Sequence, residues 1–336
     1  MTRLDVGPEE VEAPAACDGP RALLLHSRDV PLGGVRAMEV HRALPQRDLP
    51  MVGAWCFLDR FGPQVTRMRV EPHPHIGLQT VTWPFEGEVR HRDTVGSDVL
   101  VARGALNLMT SGAGIAHSEY STGADAVALD ALQLWVALPE HRRHGAPEFE
   151  RHERLPIVAL GAEGAEVAEA TVVMGPFAGA VSPATTHTPL VGAEVRIRPG
   201  ATVRLPLESA WEHALVGVFG EVRLGGDDAA TDAGATASGI TVGAHDLLYL
   251  GVHRDHVDVT AGDEGATIFV LGGEPFGEDI VMWWNFVGRS HDEIVAAREE
   301  WEADAPRFGH VVGHGPERIP APPLPHVRLT PRRRRL

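Results

Sequence analysis

Apolar and polar residues alternate in short runs along most of this chain, and turn residues separate the runs. Ala22 to His26, Gly77 to Trp83, Gly87 to Arg92, Asp98 to Ala102 and Leu132 to Leu138 each have the length and residue types of a strand. A second series follows at Ala168 to Met174, Ala193 to Ile197, Val203 to Leu207, Ala214 to Phe219, Leu247 to Gly251 and Thr267 to Leu271. Strands this short and this frequent predict a sandwich or barrel in each half. A helix is predicted once, near the C-terminus. Ser290-His291-Asp292-Glu293 is a capping-box pattern, and the helix runs through Ile294 and Ala297 to about Trp301, with Pro306 closing it. Ile319-Pro320-Ala321-Pro322-Pro323-Leu324-Pro325 reads as an extended, polyproline-like segment that packs across the domains.

The halves echo each other. Gly87-Glu88-Val89-Arg90 recurs as Gly220-Glu221-Val222-Arg223, and Gly104-Ala105-Leu106-Asn107-Leu108 with Gly112 is matched by Gly243-Ala244-His245-Asp246-Leu247 with Gly251. Matched order and similar spacing predict an all-β chain of two tandem β-barrels with a short C-terminal helix. The expected divisions are an irregular lead-in at 1–20, a first barrel at 21–140 and a linker at 141–155. A second barrel at 156–285, a helix and extended packing segment at 286–325, and a basic tail at 326–336 complete the chain.

Composition narrows the class. At 336 residues the chain is long enough for two domains, and 43% apolar with 23% charged residues excludes disorder of the bulk. Glycine and proline, 37 and 26 in number, suit short elements and turns. No apolar run approaches the ~18 residues of a membrane span, and Met1 to Ala16 lacks a signal pattern, so the expectation is a soluble cytoplasmic protein without membrane contact. A formal charge of −16 argues against direct binding of nucleic acid. Arg332 to Arg335 run against that average and read as a solvated, mobile end. Cys17 and Cys56 make no disulfide framework, and Cys56 reads as an inert core residue.

The chemistry concentrates in two short motifs. His73 and His75 stand in Pro72-His73-Pro74-His75, and His117 and Glu119 in Gly114-Ile115-Ala116-His117-Ser118-Glu119. Spacing of i, i+2 puts both members of a pair on one face of a strand. If the strands adjoin and face the barrel interior, three imidazoles and a carboxylate converge. That donor set suits iron, manganese, copper, nickel or zinc better than calcium or magnesium, which prefer all-oxygen shells. Gly112 and Gly114 let the backbone turn closely before His117. In the second half His256 and Asp258 stand at the equivalent spacing without a preceding histidine pair. They read as a vestige or a local hydrogen-bonded pair, and the second barrel is expected to hold no metal. His253, His256, His310 and His314 read as surface histidines. Met282-Trp283-Trp284 with Phe286 reads as core or inter-barrel packing.

These residues carry a family resemblance. Glu71 to Trp83, Gly87 to Asp93 and Met109 to Glu119 resemble the pirin family of bicupins, as do Arg42-Ala43-Leu44-Pro45, Phe57 to Pro63 and Gly272-Gly273-Glu274-Pro275. The resemblance covers roughly residues 20–310. It implies two cupin (jelly-roll-type) barrels, with one metal per chain, iron(II) first among the candidates, on His73, His75, His117 and Glu119. Pirins usually carry Glu where this chain has Gln79, which is expected near the metal. Met109 is expected near the substrate pocket, and Asn107-Leu108 replaces a more polar and aromatic approach.

The resemblance implies two functions. One is cleavage of quercetin or a similar small aromatic flavonol by dioxygen, with Glu119 as ligand and proton acceptor. The other is a non-catalytic, iron- or redox-responsive protein that regulates a transcription factor or metabolic enzyme by direct binding. Gln79 favours the second, because it removes an acidic group that turnover could use.

Overall fold

Alternating side chains give a strand two faces, and in this chain many strands have both faces covered. The computed structural model describes residues 19–32, 38–123, 125–161, 166–225 and 239–334. Most of the expected lead-in, Cys17 and Arg335 lie outside them. In the first half the strands are β1 (Pro20–His26), β2 (Arg28–Leu32), β3 (Met38–Leu44), β4 (Trp55–Thr66), β5 (Arg69–His75) and β6 (Leu78–Glu86). They continue as β7 (Glu88–Asp93), β8 (Asp98–Ala102), β9 (Leu106–Thr110), β10 (Ile115–Ser121), β11 (Val127–Ala137) and β12 (Glu148–His152). A seven-stranded sheet, β12-β9-β6-β11-β4-β3-β2, faces a four-stranded one, β5-β10-β7-β8. Together they make the first barrel, and a nine-stranded sheet forms the second. Among the described residues the architecture is therefore all-β, with two tandem jelly-roll-type barrels and one C-terminal helix.

The large sheet of the first barrel packs on the second. Val81, Trp83, Leu106, Leu108, Leu132 and Leu134 join Ala214, Val216, Tyr249, Phe269 and Leu271 in one core between the barrels. Trp83 donates its indole N–H to Glu194 across that interface at 2.8 Å, and Trp55 reaches the Val191 and Gly272 carbonyls. The sheet's other face looks into the barrel. That two-sided burial explains why β6 is buried from Leu78 to Phe85 although polar and apolar residues alternate along it.

Several boundaries differ from expectation. β1 pairs with Asp246–Gly251 of the second barrel, with Leu24 opposite Leu248. Leu23 and Leu25 pack on the inter-barrel core and Leu24 on the core of the second barrel, so both faces of β1 are apolar. Glu148–His152, inside the expected linker, is an edge strand hydrogen-bonded to β9.

The helix α1 spans His291–Glu302, with Ser290 as N-cap accepting from the Glu293 N–H. Ile294, Ala297 and Trp301 bury against Ile76, Ala116, Phe286 and Phe308. The helix thus backs the small sheet beside the predicted histidines. The extended segment from Ile319 packs on this helix and the first barrel. Ile319 N–H donates to the Pro72 carbonyl, and the Ile319 and Pro322 carbonyls accept from Trp301 and Arg298.

The basic tail is docked, contrary to the expectation of a solvated end. Arg334 ion-pairs with the buried Glu212, donates to the Met51 carbonyl and stacks 5.5 Å over the Tyr249 ring. A buried carboxylate offers that guanidinium more than water does, because it would otherwise stand desolvated. Among the described residues no helix is long and apolar enough to cross a membrane.

Candidate metal centre

β5 is an edge strand of the small sheet, which is why Pro-His-Pro-His can lie in it. A proline has no N–H to donate to the ladder, and an edge strand needs donors on one side only. β10 runs antiparallel between β5 and β7, with His117 opposite both His73 and Asp93, and Glu119 opposite His91. Residues directly opposite share a face, so all of these side chains turn inward.

The imidazoles of His73, His75 and His117 offer nitrogens within 4.8 Å of one another, and all three are buried. His75 Nε2 stands 3.0 Å from His117 Nε2. The Nδ1 of His73 lies 2.9 Å from the Glu71 carbonyl, and that of His75 lies 3.1 Å from the Asn285 carbonyl. A carbonyl only accepts, so both Nδ1 atoms carry the proton and both Nε2 atoms present a lone pair inward. Burial lowers His73 to about 4 and holds His75 and His117 well below the usual histidine range. Neutral imidazoles with convergent lone pairs repel one another and attract a cation, and this donor set fits a transition metal.

Glu119 does not fall into that group. Its carboxylate gathers with His91 and His117, accepting a hydrogen bond from Thr82 Oγ1 at 3.3 Å. Burial raises its pKa, against the opposing influence of His91 and Thr82. His117 is thus common to two triads, one with His73 and His75 and one with His91 and Glu119.

His91 and Asp93 are the residues that sequence reasoning missed. His91 stacks on Phe149 with ring centroids 4.6 Å apart, and its Nδ1 lies 3.4 Å from His117 Nδ1. Its Nε2 lies 2.9 Å from Asp93 Oδ2. Burial works against the Asp93 charge, yet the bonds from His91 and the Ser97 N–H hold its pKa below the usual carboxylate range. The signal was present in β7, where Val89, His91 and Asp93 alternate with Glu88, Arg90 and Arg92.

Other expectations need correction. Gln79 does not face the imidazoles. Thr80 and Thr82 point into the barrel, so Gln79, at the opposite parity, turns to the inter-barrel side and donates to Thr110 Oγ1 and the Thr185 carbonyl. Met109 is buried on the barrel-interior face opposite Thr80, outside the lining of the cavity described below. His314, read as a surface residue, is half-buried, and its Nε2 lies 2.6 Å from Ser118 Oγ. His256 bonds Asp255 and Asp258 bonds Arg204, and the His256 charge acts on Asp258 as well. Cys56 is buried, and burial pushes its thiol up to about 12, consistent with an inert residue.

The centre opens onto a cavity of about 1120 Å³. His73, His75 and Glu119 stand in its wall, and Phe57 and Trp135, stacked at 4.0 Å, form an aromatic floor. Trp283 and Trp284, expected as packing, both pack beside α1 and line this space.

Comparison with known proteins follows the same lines. A family model described as Pirin matches residues 37–136, and one described as Pirin C-terminal cupin domain matches residues 192–309. A Pseudomonas aeruginosa protein named "Putative quercetin 2,3-dioxygenase" is 39% identical over 303 residues, 89% of each chain. A pirin-like protein of Caulobacter vibrioides is 36% identical, over 84% of this chain and 94% of its own. A solved structure described as quercetin 2,3-dioxygenase from Acinetobacter baumannii superposes with a TM-score of 0.81 at 35% identity. That superposition covers 92% of this chain and 98% of the other.

Proposed function

Since the chain belongs to the pirin family of two-barrel cupins, we propose that it is a metal-dependent oxygenase acting on a flavonol-like aromatic, with quercetin as the model substrate. The observation that carries this reading is the convergence of three neutral imidazoles on the wall of an aromatic-floored cavity, beside a carboxyl of raised pKa. A redox-active divalent metal, iron(II) by preference, held by His73, His75 and His117 with Glu119 in reach, supplies a Lewis acid and an electron-transfer centre.

The chain's own residues do the rest. Glu119 takes the proton of the substrate's 3-hydroxyl, and its burial makes it a stronger base than an exposed glutamate. The single Thr82 hydroxyl proton lies between Glu119 Oε1 at 3.3 Å and Gln133 Oε1 at 2.9 Å, so it serves one of the two oxygens at a time. Phe57 and Trp135, stacked on each other, give a flat substrate an aromatic wall to pack against, and the Trp135 and His75 rings meet in a T-shaped pair at 5.2 Å. In the reaction dioxygen adds both its atoms to the substrate, one ring carbon leaves as carbon monoxide, and the remaining carbons stay in an ester product. The placement of Gln79 away from the cavity removes the feature that favoured a purely regulatory role.

The test is oxygen uptake and carbon monoxide release with quercetin, on protein stripped of metal and reloaded anaerobically with iron(II). Turnover that requires the metal and falls at least ~100-fold in Glu119→Gln is expected. Full iron loading at one per chain without turnover overturns the reading.

A further inference from the structure

Strand parity puts Gln133 and Trp135 of β11 on one face, and both line the cavity. Register sets Gln133 opposite Thr82 on one side and Asp59 on the other, one step along from the Phe57–Trp135 pair. The Thr82 hydroxyl meets Gln133 through Oε1 at 2.9 Å, closer than its 3.3 Å to Glu119. Nε2 is therefore the end of the carboxamide left for the cavity. An amide nitrogen carries two hydrogens and accepts nothing. Among the described residues no oxygen takes either hydrogen. Asp59, across the strand, has both its oxygens turned to Arg42 in bonds of 2.7 Å.

A half-buried donor at the end of an aromatic wall discriminates between ligand oxygens. The wall fixes the plane of a flat ring system, and the amide meets the substituents at its edge. A carbonyl oxygen there gains a hydrogen bond, whereas a ligand with nothing to accept leaves the amide desolvated and unpaired. Glu119 is one hydroxyl away, beyond Thr82. In a flavonol the carbonyl stands on the carbon next to the one that bears the 3-hydroxyl. With Glu119 at the hydroxyl, the neighbouring carbonyl falls to Gln133. Loss of the hydroxyl proton spreads negative charge onto that carbonyl by conjugation, so the bond strengthens as the reaction begins.

We infer that Gln133 is a specificity-determining residue, whose Nε2 donates to the substrate carbonyl adjacent to the reacting hydroxyl and so selects aromatic hydroxy-enones. The inference deepens the proposed oxygenase reading and rests on it only for the position of the reacting hydroxyl.

The test measures dissociation constants of quercetin and of luteolin, which keeps the carbonyl and lacks the 3-hydroxyl. Full-length protein loaded with nickel(II) is used without oxygen, and binding is read from quenching of tryptophan fluorescence. Gln133→Glu keeps an oxygen for the Thr82 hydroxyl and removes the cavity donor, and Gln133→Met removes the donor without adding charge. Both variants are expected to weaken both ligands ~3–10-fold, with nickel(II) affinity and the urea midpoint of Gln133→Met close to the parent's. Luteolin binding that ignores the substitutions overturns the assignment, because the contact would then be to the 3-hydroxyl. Parent-like affinity in Gln133→Glu also overturns it, by reducing the residue to a support for Thr82, and parent-like affinity in Gln133→Met reduces the effect of glutamate to repulsion. Weakened binding in both variants, with no turnover by the iron(II)-loaded parent, keeps Gln133 and sinks the oxygenase. Quercetin turnover with unchanged affinities does the reverse, and failure of both ligands to bind the parent sinks both.

Discussion

The nitrogen that carries an imidazole's proton is decided by the hydrogen bond at its other nitrogen. For His117 that bond runs through Nδ1 to His91 Nδ1, and His91 Nε2 is held by Asp93. A carboxylate accepts only, so His91 keeps a proton on Nε2 and can offer Nδ1 as acceptor to the His117 Nδ1–H. His117 Nε2 is then a free lone pair for a metal. Asp93→Asn replaces one oxygen by an amide donor. The remaining oxygen can still serve the Val95 and Ser97 N–H groups, which Asp93 Oδ1 accepts at 3.0 and 2.9 Å. The amide N–H then faces His91 Nε2 and reverses both tautomers, moving a proton onto the inward nitrogen of His117. Metal affinity is expected to fall ~10–100-fold with little loss of stability. Titration with nickel(II) as the probe, against a chromophoric chelator, checks the first, and a urea midpoint checks the second.

At the scale of elements, turns and strand parity decide which side chains meet. Gly112 has φ +50°, and a Cβ there would stand 2.1 Å from the Gly145 carbonyl oxygen, whereas Gly104, at φ +81°, has open space around it. Gly112→Ala is expected to cost at least about 2 kcal/mol, and Gly104→Ala about 1 kcal/mol, in denaturant unfolding. The first also displaces the start of β10, so it should weaken metal binding where the second does not. Parity explains what was legible beforehand. His73, His75, His117 and Glu119 could be found because i, i+2 spacing holds inside a single strand. Gln79 was misplaced because counting four residues from His75 crosses the turn at Gly77, where β5 ends and β6 begins in another sheet. His91 and Asp93 obey the same alternation, but nothing local says that β7 lies beside β10. The polar row that register forms on the large sheet, from Asn107 through Thr82, Gln133 and Asp59 to Arg42 and Arg28, was hidden for that reason too, since its members come from six separate strands.

At the scale of the whole molecule, the two barrels share one buried core, and a buried histidine ties stability to pH. His213, in the second barrel, is lowered to about 4 by burial, with the Trp211 backbone opposing. The folded chain holds the proton more weakly than the unfolded chain, where histidine titrates near ~6.5. The stability contributed is therefore complete above ~6.5 and is lost as pH falls towards 4, by up to about 3 kcal/mol. His213→Phe is expected to make Tm fall less steeply over that interval, as thermal scans of parent and variant can show. Partners this remote are what local reading could not supply, as with Arg334 on Glu212 and β1 on Asp246–Gly251. The β1 pairing has a consequence on the ribosome. His26 and Asp246, bonded at 2.8 Å, are 220 residues apart, an interval of roughly 10–45 s at ordinary elongation rates. For that time Arg21 to His26 is a finished apolar strand without its sheet, an open edge that a chaperone, or a second nascent chain, can occupy first.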